Sequence, residues 1–137
     1  MYNTSKIVFS PRVRKSPYFN STIKYGATAF SVYNHMYMPV TYDGTVEDYK
    51  KLLNGVQLWD VGVERQVQIT GPDAEAFAQF LTPRDIKKCS IGQAMYTPLT
   101  DFKGNLINDP VMLRIDKDCY WFSVSDGDLL LWAQGIA

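Results

Sequence analysis

Histidine and cysteine are scarce in this chain. One histidine, His35, and two cysteines, Cys89 and Cys119, occur among 137 residues. The cysteines stand far apart, with no CxxC pairing and no histidine cluster beside them. Neither a zinc site nor a disulfide framework is suggested. A charge excess is missing too: 14 Lys and Arg match 14 Asp and Glu, which leaves no electrostatic footprint for nucleic acid or an anionic membrane. The small basic cluster Arg12, Arg14 and Lys15 reads as a solvated edge. No apolar run reaches the length of a membrane span, and the N-terminus has no hydrophobic region of a signal peptide. These absences point to a cytoplasmic protein with neither nucleic acid nor membrane among its partners, and they leave the oligomeric state open.

Motifs that dictate chemistry by themselves are lacking as well. The chain has no P-loop, no GxGxxG, no Ser-His-Asp arrangement and no metal-ligand spacing. What it has is material for a core: 46% of residues are hydrophobic and 14% aromatic, enough for one globular domain.

Residues 1–25 read as an extended arm, because Pro11 and Pro17 disfavour helix and Ser10, Ser16, Asn20 and Ser21 suit turns. The aromatic stretch from Ala27 to Tyr42 shows no clear period and reads as a short strand followed by a loop. A helix is expected over 45–54, with Thr45 as cap, Val46, Tyr49, Leu52 and Leu53 on one face, and Asn54-Gly55 as its end. Val63, Val67 and Ile69 alternate with polar residues as in a strand with one buried face. Gly71-Pro72-Asp73 then opens a helix striped by Ala74, Phe77, Ala78 and Leu81. Strands follow at Met95–Leu99, Leu106–Ile115 and Cys119–Val124, and a final helix at Leu129–Ala133. This order predicts an α+β domain, an antiparallel sheet with helices on one side. The last helix stops at Gly135-Ile136-Ala137 without a tail, as expected of a truncated chain.

Two blocks carry a family resemblance. VQLWDVGVERQVQITGPDAEAFAQFLTPRD (56–85) and IGQAMYTPLTDFKGNLINDPVMLRI (91–115) resemble the glycine-cleavage T-protein (aminomethyltransferase) superfamily, in its N-terminal part. The shorter stretches RVRKSPYF, SVYNHMYMP, VERQV, TPRD, LINDPV and SDGDLLLWAQGIA resemble its dimethylsulfoniopropionate demethylase branch. The resemblance implies a partial T-protein, folate-binding fold over 26–137. It also implies methyl transfer to tetrahydrofolate from dimethylsulfoniopropionate or a related small-molecule substrate, with no metal or redox cofactor. Two alternatives stay open: an aminomethyltransferase of the glycine cleavage system, and a non-catalytic folate-binding paralogue. In the family, later segments close the folate pocket, so the 137 residues alone are expected to be inactive.

The same resemblance implies the site residues. Asn108-Asp109 falls on the family's paired aspartates and is expected to be catalytic, with Asp109 also at the folate. The first position is an amide here, which favours methyl transfer from a sulfonium over handling an iminium-like group. The bland reading of Asp109 is strand-end hydrogen bonding beside Pro110. Tyr96 is expected at the folate, or else in the core. Tyr33, Met36 and Tyr37 are expected at the substrate, where aromatic faces attract a cation, with simple packing as the alternative. Asp126 and Asp128 read as helix caps, Trp121 and Trp132 as core, and Trp59-Asp60 as a structural corner.

Overall fold

A computed structural model of the chain describes residues 9–137. The chain forms two compact units, the boundary falling between Val63 and Glu64.

The first unit contains β1 (Arg14–Lys15), α1 (Phe19–Lys24), β2 (Ala29–Tyr33), β3 (Met36–Thr41) and α2 (Thr45–Asn54). Residues 1–8 of the expected arm lie outside the described residues, and its described part is not extended throughout. Pro17 lies ahead of the first turn of α1, where a fixed φ does no harm, and the Thr22 hydroxyl donates to the Phe19 carbonyl at 2.7 Å. The expected strand-then-loop over 27–42 is a hairpin. Tyr33 pairs with Met36 across a two-residue turn, and Asn34 and His35 both adopt positive φ, 49° and 62°. That is the backbone of a type I′ turn, whose twist matches the flanking strands. β1 joins β3 in parallel, making this small sheet mixed rather than antiparallel throughout. Its core is aromatic: Phe19, Phe30 and Tyr37 are buried together, with the Phe19 and Tyr37 ring centroids 5.9 Å apart.

Helix α2 has the expected bounds but a different start. Gly44, not Thr45, occupies the cap position. Asp48 instead reaches back to the backbone N–H groups of Tyr42, at 2.8 Å, and Asp43, at 3.2 Å, and also accepts the Thr41 hydroxyl. The apolar stripe of Val46, Tyr49, Leu52 and Leu53 is exposed. Tyr49 and Leu52 line, with Met38 and Trp59, a groove of about 440 Å³. Asp60 is a corner: it accepts the Gly62 N–H at 2.9 Å and the Ser16 hydroxyl.

The second unit contains β4 (Gln66–Thr70), α3 (Ala74–Phe80), a 3₁₀ turn (Ile86–Lys88), β5 (Ala94–Tyr96), β6 (Leu99–Thr100), β7 (Leu106–Asn108), β8 (Val111–Asp116), β9 (Cys119–Ser123) and α4 (Leu129–Ile136). Strands β4-β9-β8-β5 form an antiparallel sheet, and β6-β7 a separate ribbon. Alternation decides which face is covered. Val67, Ile69, Met112, Tyr120 and Phe122 turn inward and join Ala74, Ala78 and Leu81 of the α3 segment and Leu129 of α4 in one core. The fold is thus α+β, an antiparallel sheet with helices on one side. Trp121 points the other way, donating to Gln68 Oε1 at 2.8 Å, so it is not a core residue. Trp132 packs against the core. Asp128 occupies the cap position of α4 without bonding the helix N–H groups through its side chain.

The expected strand over 106–115 is two strands. Up to Asn108 the chain pairs with β6, and from Val111 it pairs with β5 and β9. Asp109-Pro110 is the switch, and Pro110 has no N–H for a ladder. Its carbonyl accepts the Thr97 N–H at 2.9 Å.

Candidate functional site

A strand that changes partners leaves its side chains at a seam, and Asp109 stands at that seam. Tyr96 ends β5 opposite Val111, which brings its hydroxyl to Asp109 Oδ2 at 3.2 Å. Ser125 lies two residues beyond the end of β9, and its hydroxyl donates to Asp109 Oδ1. The sequence-predicted pair Asp109 and Tyr96 is therefore brought together. The bond from Ser125 holds the Asp109 carboxyl below its ordinary pKa; partial burial opposes this and the bond from Tyr96 adds to it. Tyr96 is pushed up, first by desolvation and then by its bond to the anionic Asp109. The result is an ionised carboxylate beside the protonated phenol of a tyrosine that is 52% exposed.

Asn108 is placed differently from its expected neighbour. It is 4% exposed, and both polar atoms of its amide are engaged by Ser125. Oδ1 accepts the Ser125 N–H at 3.2 Å, and Nδ2 donates to the Ser125 carbonyl at 3.1 Å. Asn108 supports the site from behind and presents no polar atom outward. Gly127 carried no expectation from the sequence, and Ser125, which the family resemblance places where the T-protein has an asparagine, was not expected to touch Asp109. Gly127 has φ +151°, and a Cβ there would lie 3.1 Å from Asn108 Nδ2. The Ser-Asp-Gly-Asp run was readable as a turn, but nothing in it pointed to residue 109.

In the first unit, Tyr33 and Met36 form the pair that closes the hairpin and share one face, both half-buried. Tyr37 alternates to the other face and is 2% exposed; it also bonds to the Ser10 N–H. Tyr37 is a packing residue, because its ring fills the aromatic core and cannot share a wall with the other two.

Among the described residues no group of His, Cys, Asp and Glu converges as a metal site would. None of their helices is long and apolar enough to cross a membrane.

Sheet, seam and polar cluster define an α+β domain whose candidate site is carried at strand breaks rather than at helix ends. Within that class the chain belongs to the GCVT N-terminal domain family, whose model matches residues 18–132. The chain is 41% identical over 128 residues to dimethylsulfoniopropionate demethylase DmdA of Ruegeria pomeroyi, covering 93% of this chain and 35% of that protein. It is 37% identical over 87 residues to an aminomethyltransferase of Prosthecochloris aestuarii, covering 64% and 24%. The fold resembles the crystal structure of glycine cleavage system aminomethyltransferase T from Bartonella henselae, with a TM-score of 0.62 at 20% identity, over 83% of this chain and 31% of that one. The chain spans about a third or less of the length of the curated relatives it matches.

Proposed function

We propose that this domain serves an enzyme that moves a methyl group from a cationic donor, dimethylsulfoniopropionate or a related compound, to tetrahydrofolate in the cytoplasm. Identity to the demethylase over 93% of the chain supports that branch over the aminomethyltransferase. The observation that carries the site assignment is the contact of Tyr96 with Asp109. The exposed phenol ring offers a flat face for a pterin, and the ionised carboxylate retains lone pairs beyond those given to Ser125 and Tyr96.

Tetrahydrofolate, when bound, supplies the N5 nucleophile: an N5–CH₃ bond forms, the S–CH₃ bond breaks with its electron pair kept by sulfur, and N5 loses its proton. Positive charge is present throughout this exchange. Asp109 steadies it as a fixed anion, and Ser125 keeps that anion ionised and oriented. In the first unit, Tyr33 and Met36 offer an aromatic face and a thioether on one side of the hairpin, suited to a cation.

A chimera tests the proposal, with this chain replacing the matching N-terminal third of the Ruegeria enzyme. It is expected to release methylthiopropionate from dimethylsulfoniopropionate in the presence of tetrahydrofolate. Asp109→Ala in the chimera should lower kcat by about tenfold or more, as expected for losing one electrostatic group. A folded chimera that is inert, or that acts only in glycine cleavage, overturns the reading.

A further inference from the structure

Asn108 and Asp109 are adjacent in sequence, yet they act on the seam in different ways, and Ser125 joins them. The serine hydroxyl carries one proton and has two acceptors in reach, Asn108 Oδ1 at 3.2 Å and the nearer, charged Asp109 Oδ1. A charge-assisted bond is the stronger of the two, so the proton goes to Asp109. A free serine side chain rotates among three staggered wells, and the backbone here lies past the end of β9 at Ser123, with the Val124 N–H donating to the Arg65 carbonyl at 2.9 Å. The Asn108 amide meets the N–H and the carbonyl of Ser125 together. Only an amide does both: a carboxylate would face the Ser125 carbonyl with an acceptor. Gly127 leaves room for that amide, since a side chain there would press on Nδ2.

We infer that Asn108 and Ser125 are positioning residues for Asp109: the Asn108 amide clamps the Ser125 backbone so that the Ser125 hydroxyl fixes the Asp109 carboxylate. The inference rests on the proposed function only in taking Asp109 as the group that meets the ligand. It also accounts for an amide where the family resemblance leads one to expect an aspartate. The substitution serves the clamp and need not act on the methyl group.

The test is a carbon-detected NMR titration of the Asp109 carboxyl in the 137-residue chain, without ligand. Tyr96 is the titratable side chain bonded to Asp109, and hydrogen bonds and partial burial govern its ionisation, with no neighbouring charge among the causes. In Ser125→Ala the midpoint should rise toward the ordinary carboxylate value, and Ser125→Thr, which restores a hydroxyl, should bring it back. Asn108→Ala should raise it as well, although Asn108 makes no bond to Asp109. If Asn108→Ala does not fold, Gly127→Ala takes its place, displacing the same amide by crowding. An unchanged midpoint in folded Ser125→Ala overturns the role of the serine, and an unchanged midpoint in the folded Asn108 or Gly127 variant overturns the clamp. Because no ligand is present, failure here leaves the chimera assay standing, and failure of the chimera leaves this result standing.

Discussion

Asn108 grips Ser125 by both backbone polar groups, accepting from its N–H at 3.2 Å and donating to its carbonyl at 3.1 Å. The two residues lie on different strand ends, so this one amide ties the loop after β9 to the break between β7 and β8. Replacing it by a carboxylate keeps the shape and removes the donor. Asn108→Asp should destabilise the chain by about 1–3 kcal/mol at neutral pH, the cost of opposing buried acceptors. The deficit should shrink in acid, where a protonated carboxyl donates again. Urea unfolding at both pH values checks this; an equal loss at each would count against it.

Asp109 ionises more readily when folded than an ordinary carboxyl does, chiefly through the Ser125 bond. Its stabilising contribution is therefore complete above the unfolded-state carboxylate pKa and is lost as pH falls through the lower folded value. Asp48 and Asp101 shift in the same direction, so the contribution is read from the difference between the natural chain and Asp109→Asn. The natural chain should lose stability more steeply on acidification. Parallel curves would refute the assignment.

Gly127→Ala meets two obstacles, a φ of +151° that side chains rarely adopt and a contact 3.1 Å from Asn108 Nδ2. A loss of about 1–2 kcal/mol is expected from strain of this kind. Thermal unfolding followed by circular dichroism measures it, and a neutral result would mean that the loop yields freely.

Tyr37 and Tyr33 lie on opposite faces of the hairpin and should differ sharply in effect. Tyr37→Ala removes a fully buried ring from contact with Phe19 and Phe30, costing about 3–5 kcal/mol. Tyr33→Ala, on the half-exposed face, should cost far less and instead weaken donor binding in the chimera. Equal destabilisation by both would contradict the packing role given to Tyr37.

Elements with one face in the core were legible by their period, and α2 was legible by its stripe and its Asn54-Gly55 end although that stripe is exposed. Val67 and Ile69 alternate with polar residues, and α3 shows its stripe, so periodicity found β4 and that helix. The hairpin over 29–41 was hidden because both of its faces are apolar or aromatic, which erases a period of two. Its turn also uses Asn34 and His35 at positive φ, where a glycine would have signalled it. Asp109 and Tyr96 were found through resemblance, and their contact follows from the pairing of Tyr96 with Val111. The part of Ser125 in the site arises from a contact across 16 positions in the chain, and no local pattern encodes such a contact.

Pro110 has one further consequence, for assembly of the sheet. It enters its surroundings as an acceptor only, receiving the Thr97 N–H. If the β7–β8 segment slid by one residue so that Pro110 took the place of Val111, this donorless position would fall inside the ladder, and every inward side chain of β8 would turn outward. Misaligned pairings are thus disfavoured before any ligand is met. A residue with no chemistry of its own thereby proofreads the alignment on which the neighbouring aspartate depends.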